Sequence, residues 1–256
     1  MYRAFNIATT AQDWGDMIIP ETISNKFSED KDAIMTILQS LAQSLPIDGS
    51  KLRNRWFPKI KADIFISHSH QDQVMALKCA TWLKHEFGLV AFVDSCVWGS
   101  ADQLLQTIDN SYCKNEDRDT YSYEKRNETT SHIHMMLATA LTEMLDATEC
   151  IFFMNTPKSI LPIDAITKTK SPWLYYELTS INALRRKRPT RLQPLVFTNE
   201  GAITAKRTNA RFEAEYEVSL EELTTLTADS LNNWQKANST NTAGASLDLL
   251  YKLNPT

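Results

Sequence analysis

The chain has 256 residues, 43% of them hydrophobic and 23% charged, with a formal net charge of −4. This is globular composition, long enough for one large domain or a domain with an appendage, and its mild acidity leaves no electrostatic footprint for nucleic acid. No apolar run approaches membrane-spanning length and Met1-Tyr2-Arg3 does not lead into a secretory hydrophobic region, so the expectation is a soluble, cytoplasmic protein without a membrane partner.

Residues 1 to about 60 read as a helical extension packed against a main domain. Ile34, Ile37, Leu38, Leu41 and Leu45 keep a helical spacing, and Pro46-Ile47-Asp48-Gly49-Ser50 ends it. The main domain, 61–236, opens on Ile64-Phe65-Ile66, a short apolar run of the kind buried on both faces of a parallel sheet. It stops abruptly at Ser67-His68-Ser69-His70, and Val74, Leu77, Ala80, Leu83 and Phe87 then predict a helix, with Ser69 and Asp72 at its start. The four polar residues either line a binding crevice or form a solvated turn. Gly88 ends the helix, and residues 89–93 make a second strand followed by a polar loop, 94–102, that carries Trp98. Leu104, Leu105 and Ile108 open another helix, and from about 113 to 135 a polar, tyrosine-containing stretch reads as an insertion, most of it surface loop. A helix resumes over 131–146, and Cys150-Ile151-Phe152-Phe153-Met154 is a third buried strand ending at Asn155.

Ser171-Pro172 is a strong helix start, and Trp173 and Glu177 sit one above the other at i and i+4. Residues 192–197 predict a fourth strand and 213–218 a fifth at an edge, while Ser219-Leu220-Glu221-Glu222 is a capping box for a last helix before a tail, 237–256. Cys79, Cys96, Cys113 and Cys150 are widely spaced without a C-x-x-C pair and read as reduced core residues. His132 and His134, with His68 and His70, invite a metal reading, but no third ligand type clusters with them and no metal is expected.

Alternating strands and helices imply an α/β fold with a doubly wound, flavodoxin-like parallel sheet of five strands. With strand order 2-1-3-4-5, Ser67, His68, the 94–102 loop, Asn155 and the start of the Trp173 helix surround one crevice at the switch point.

Three blocks in order resemble those of TIR (Toll/interleukin-1 receptor) domains. They are Asp63-Ile64-Phe65-Ile66-Ser67-His68 with Asp72; Gly88, Val93, Asp94, Gly99, Asp102, Leu105 and Ile108; and Trp173-Leu174-Tyr175-Tyr176-Glu177-Leu178, similar to the family's W-x-x-x-E-L helix. The chain departs in its N-terminal section, in the 113–135 insertion, and in Leu174, where many members have Cys. The resemblance implies cleavage of NAD at the nicotinamide–ribose bond, with Glu177 as the catalytic carboxylate and Ser67, His68, Trp98, Asp102, Asn155 and Trp173 around the substrate. NAD is then substrate and no separate cofactor is implied. The resemblance further implies assembly through TIR–TIR contacts and, as in anti-phage signalling, a separate effector that responds to the product. The alternative it leaves open is a non-catalytic scaffold module.

Overall fold

A computed structural model describes residues 1–15, 17–20, 48–98, 101–116, 119–161, 167–192, 215–239 and 242–255. The helix expected from Ile34 to Leu45 lies outside them, as does the fourth predicted strand beyond Leu192. The chain divides into two compact units, one built from 1–19, 61–93 and 145–256, the other from 20–60 and 94–144.

The first unit is an α/β fold around a parallel sheet of five strands, flanked by helices. In chain order it contains β1 (Arg3–Ala8) and β2 (Ile64–Ser67). In the second unit, α1 (Gly49–Trp56) starts on Asp48, whose side chain accepts from the Lys51 amide. Returning to the first unit, α2 (Gln73–Phe87) follows β2 and stops at Gly88, whose φ of 66° lets its amide turn back onto the Leu83 and Lys84 carbonyls. Next come β3 (Ala91–Phe92) and, in the second unit, α3 (Asp94–Val97) and α4 (Ala101–Tyr112). Helix α5 (Tyr123–Ala147) leads to β4 (Cys150–Met154), then β5 (Lys168–Thr169), α6 (Pro172–Ala183), β6 (Tyr216–Glu217), β7 (Thr224–Thr227), α7 (Ala228–Ala237) and α8 (Ala243–Leu253).

The sheet order is β3-β2-β4-β1-β7, every pair parallel. The three strands expected at 89–93, 64–66 and 150–154 are adjacent in that order, and Ile64 pairs with Cys150 through to Ser67 with Phe153. β2 and β4 are buried along their whole length, as continuous apolar runs between two helical layers should be.

The other two places correct the sequence reading. The fourth is taken by β1, from the section expected to be a helical extension. Its Phe5 meets Phe152 edge-on and stacks on Tyr251 of α8, while Arg3 donates to the Tyr251 and Asn254 carbonyls at that helix's end. The fifth is β7, inside the stretch expected to be helix from Ser219; its three β-branched threonines, Thr224, Thr225 and Thr227, favour a strand. Thr227 then caps α7 by accepting from the Ser230 amide. Of the predicted edge strand at 213–218, residues from Glu215 are described, and there β6 pairs antiparallel with β5 in a separate ribbon instead of joining the main sheet.

Two further expectations change. Val74 is 62% exposed, and α2 instead buries Met75, Ala76, Leu77, Cys79, Ala80, Trp82, Leu83 and Phe87. Against it, Phe87 stacks on Trp234 of α7 at 3.7 Å, and Trp82 meets Trp14, Phe87 and Trp234 edge-on. The insertion at 113–135 is not a long loop. A turn closed by the Lys114–Tyr121 bridge leads straight into α5 at Tyr123. Half of that helix is polar because it faces solvent, which is why its sequence reads as loop. No helix among the described residues is long and apolar enough to cross a membrane.

Candidate functional site

The site begins with α6. Ser171 caps it by accepting from the Leu174 amide, and Pro172 occupies the first turn, where its missing N–H costs nothing. Its buried residues are Leu174, Glu177, Leu178 and Ile181, spaced i, i+3, i+4 and i+7. That is a core-facing apolar stripe with one carboxylate in it. Glu177 is 4% exposed, and Ser67 Oγ, at the carboxyl end of β2, donates to its Oε2. A buried carboxylate is costly unless hydrogen-bonded, so the Ser67 hydroxyl is part of what keeps it there.

Around this pair, the turns leaving β2 and β4 are tied together. His68 is buried with Nδ1 3.1 Å from the Ile66 carbonyl, which can only accept, so Nδ1 carries the proton in that contact. Thr156 Oγ1 donates to the buried Asp72 carboxylate at 2.5 Å. Lys158 Nζ lies 3.3 Å from the other Asp72 oxygen and 3.1 Å from the Gln71 carbonyl. Ser159 Oγ donates to the Met154 carbonyl at 2.8 Å and accepts from the Thr156 amide. Asn155, half-buried, donates its backbone N–H to the Ile7 carbonyl of β1 at 3.0 Å. Thus Ser67, His68, Asn155 and Glu177 belong to one unit at the carboxyl edge of the sheet, the edge at which open α/β sheets bind ligands. Trp173 stands half-exposed in the first turn of α6.

One residue that the sequence reading missed joins them. Ser67, Phe153, Asn6 and Thr225 are register partners across β2, β4, β1 and β7, so their side chains share a face of the sheet. Asn6 is 8% exposed, donates to Thr225 Oγ1 at 3.1 Å, and has its Oδ1 buried with no hydrogen-bond partner among the described residues. Buried amide oxygens are nearly always satisfied. The signal available in the sequence was Arg3-Ala4-Phe5-Asn6-Ile7-Ala8, whose odd and even positions differ in character as a strand's do.

Trp98 and Asp102 belong to the second unit. Trp98 is a packed residue there, buried edge-on against Phe57 with its indole N–H donated to the Pro58 carbonyl at 3.0 Å; a stacking platform for a planar ligand needs an exposed face. Asp102 is exposed in the first turn of α4 and lines a cleft with Asp109 and Arg126. His132 and His134 are exposed in the middle of α5. No group of three or more His, Cys, Asp or Glu among the described residues is arranged to hold a metal ion. Cys79, Cys113 and Cys150 are free and buried, and burial pushes all three thiols above their ordinary range, which removes them as nucleophiles. No protein-family model, no curated protein and no solved structure matches the chain.

Proposed function

We propose that the chain is a TIR-type enzyme that breaks the nicotinamide–ribose bond of NAD. Nicotinamide leaves a cationic pyridinium as a neutral molecule, so the bonding pair passes to the ring and no acid has to protonate the leaving group. The two carboxylates of ordinary glycoside hydrolysis therefore reduce to one. Glu177 fills that role by holding ribose hydroxyls and stabilising the oxocarbenium-like charge that develops at the sugar carbon. Water, or a nucleophile of the substrate or of another acceptor, then bonds to that carbon and releases its proton. The observation that carries the reading is the Glu177 carboxylate itself, set into an apolar helix stripe and held by Ser67 at the carboxyl end of a central strand. Asn6 Oδ1 offers an acceptor in the same row, two strands from Ser67 or roughly 10 Å away, for a hydroxyl or carboxamide N–H of the substrate.

On this reading NAD is consumed as substrate, the adenine-containing product is ADP-ribose, its cyclised isomer or a conjugate, and the setting is cytoplasmic anti-phage signalling. TIR–TIR assembly and a product-sensing effector complete it. The competing reading is a scaffold module in which Glu177 serves packing, and the same burial of Glu177 favours it.

Incubating purified protein with NAD and resolving nicotinamide from the adenine-containing product tests the proposal directly. Glu177→Gln keeps size and packing and is expected to cut turnover by roughly 10²-fold or more with little change in Tm. Cleavage at the wild-type rate by this variant would remove Glu177 from the chemistry. Lost activity matched by a large fall in Tm would favour the packing role.

A further inference from the structure

A second candidate site lies within the second unit, where α4 borders a cleft of about 430 Å³. Asp102, Gln103, Leu105 and Gln106 line it from α4, with Tyr121 and Arg126 across from them. Asp102, Leu105, Gln106 and Asp109 are spaced i, i+3, i+4 and i+7 and so form one stripe, whose ends are two turns or roughly 10 Å apart. The two ends carry opposite chemistry.

At one end Arg126 is held rigidly. Its Nε donates to Asp109 Oδ2 at 2.8 Å, and Thr129 donates to Oδ1 at 2.7 Å. Its guanidinium carbon lies 5.5 Å from the centre of the Tyr121 ring, and the Tyr121 hydroxyl is itself anchored on Asn110 Oδ1 at 2.5 Å. Asp109 is buried, whereas half of the Arg126 side chain is exposed. The two terminal nitrogens of Arg126 have no protein partner among the described residues. A guanidinium fixed by one edge and one face, with its fork unpartnered among the described residues, is pre-organised for the paired oxygens of a carboxylate. Because Asp109 offsets its charge, recognition there depends on geometry more than on a long-range field. At the other end Asp102 is exposed and has no protein partner among the described residues. Between them lie the Leu105 side chain and the amides of Gln103 and Gln106.

We propose that this cleft binds the free ends of a short peptide, about three residues long. An extended tripeptide spans roughly 10 Å, the length of the stripe. Its terminal carboxylate pairs with the open fork of Arg126, its ammonium with Asp102, its central side chain lies on Leu105, and its backbone meets the two glutamines. Binding here stands independently of NAD cleavage.

Gly-Leu-Gly titrated into the full chain, with the Leu105 and Gln106 amide resonances as readout in every variant and the Arg126 Nε–H resonance wherever Arg126 is kept, tests this without any activity measurement. A saturable shift is expected. Amidating the peptide's carboxyl end, or Arg126→Lys, should weaken binding by about tenfold or more, since each removes a charge-assisted pair of hydrogen bonds. Acetylating the amine, or Asp102→Asn at an exposed position, should weaken it by about threefold. No saturable shift of Arg126 in the folded protein overturns the proposal. So does equal binding of the free and amidated peptides, or binding undiminished in Arg126→Lys.

Discussion

Glu177 stands on a stripe otherwise made of Leu174, Leu178 and Ile181, and Asn6 stands in a buried strand beside Phe5 and Ile7. Each is a polar group that a purely structural core would exchange for an apolar one. Their environments differ, and so do the expected effects of changing them. Ser67→Ala withdraws a donor from the buried Glu177 carboxylate and should cost about 1–3 kcal/mol in urea unfolding. Asn6→Leu keeps the branched outline and removes a buried carbonyl that has no partner among the described residues, which offsets its bulkier methyl groups and the lost hydrogen bond to Thr225, so the change should lie within about 1 kcal/mol of neutral. On the NAD reading the same variant should lower kcat/KM by about tenfold, and a stable variant of unchanged kcat/KM would take Asn6 out of the site. Glu177 was legible because the W-x-x-x-E spacing can be read on any helix, and Ser67 and His68 because an apolar run ends on them. Asn6 was not, since its meaning depends on two partner strands far along the chain. Trp98 has the composition of a ligand platform, and only the Phe57 and Pro58 contacts reveal it as packing.

Among the elements, β2 and β4 declared themselves because burial on both faces makes Ile64–Ile66 and Cys150–Met154 unbroken apolar runs. β1 carries an arginine and an asparagine, which only tertiary partners make tolerable: Arg3 satisfies carbonyls at the end of α8 and the Thr224 hydroxyl, and Asn6 donates to Thr225. β7 was hidden for a different reason, since a good capping sequence at Ser219 lies just ahead of it. Phe5→Ala separates the two views of the N-terminal section. As part of a central strand wedged between Phe152 and Tyr251, it should cost about 3–5 kcal/mol in equilibrium unfolding; a loss near zero would return residues 1–8 to the status of an appendage. At α6 the cap is worth less. Ser171→Ala should cost about 1 kcal/mol, and any larger effect on NAD cleavage than on Tm would place the start of that helix close to the substrate.

Taken as a whole molecule, the chain has two units whose responses to acid should differ. Burial pushes the Asp109 carboxyl up, but hydrogen bonds from Thr129, Arg126 and Cys113 together outweigh it and leave its pKa below the ordinary value. A carboxylate depressed in this way stabilises the fold above its unfolded pKa and loses that contribution as pH falls through the folded one. Amide exchange at the start of α5 should therefore stay slow from neutral pH to about 5 and quicken below about 4, after correction for the intrinsic rate. In Asp109→Asn the added acid sensitivity should vanish; if it persists, another group is responsible. The sheet has its own consequence in time. Arg3 pairs with Cys150 and Phe5 with Thr224, so β1 leaves the ribosome roughly 150 residues before one neighbour and a further 70 or so before the other. At ordinary synthesis rates the first wait alone lasts roughly 7–30 s, long enough for an apolar edge to find another chain. A translation product cut short of residue 224 would thus keep β1 as an unpaired outer edge of the sheet.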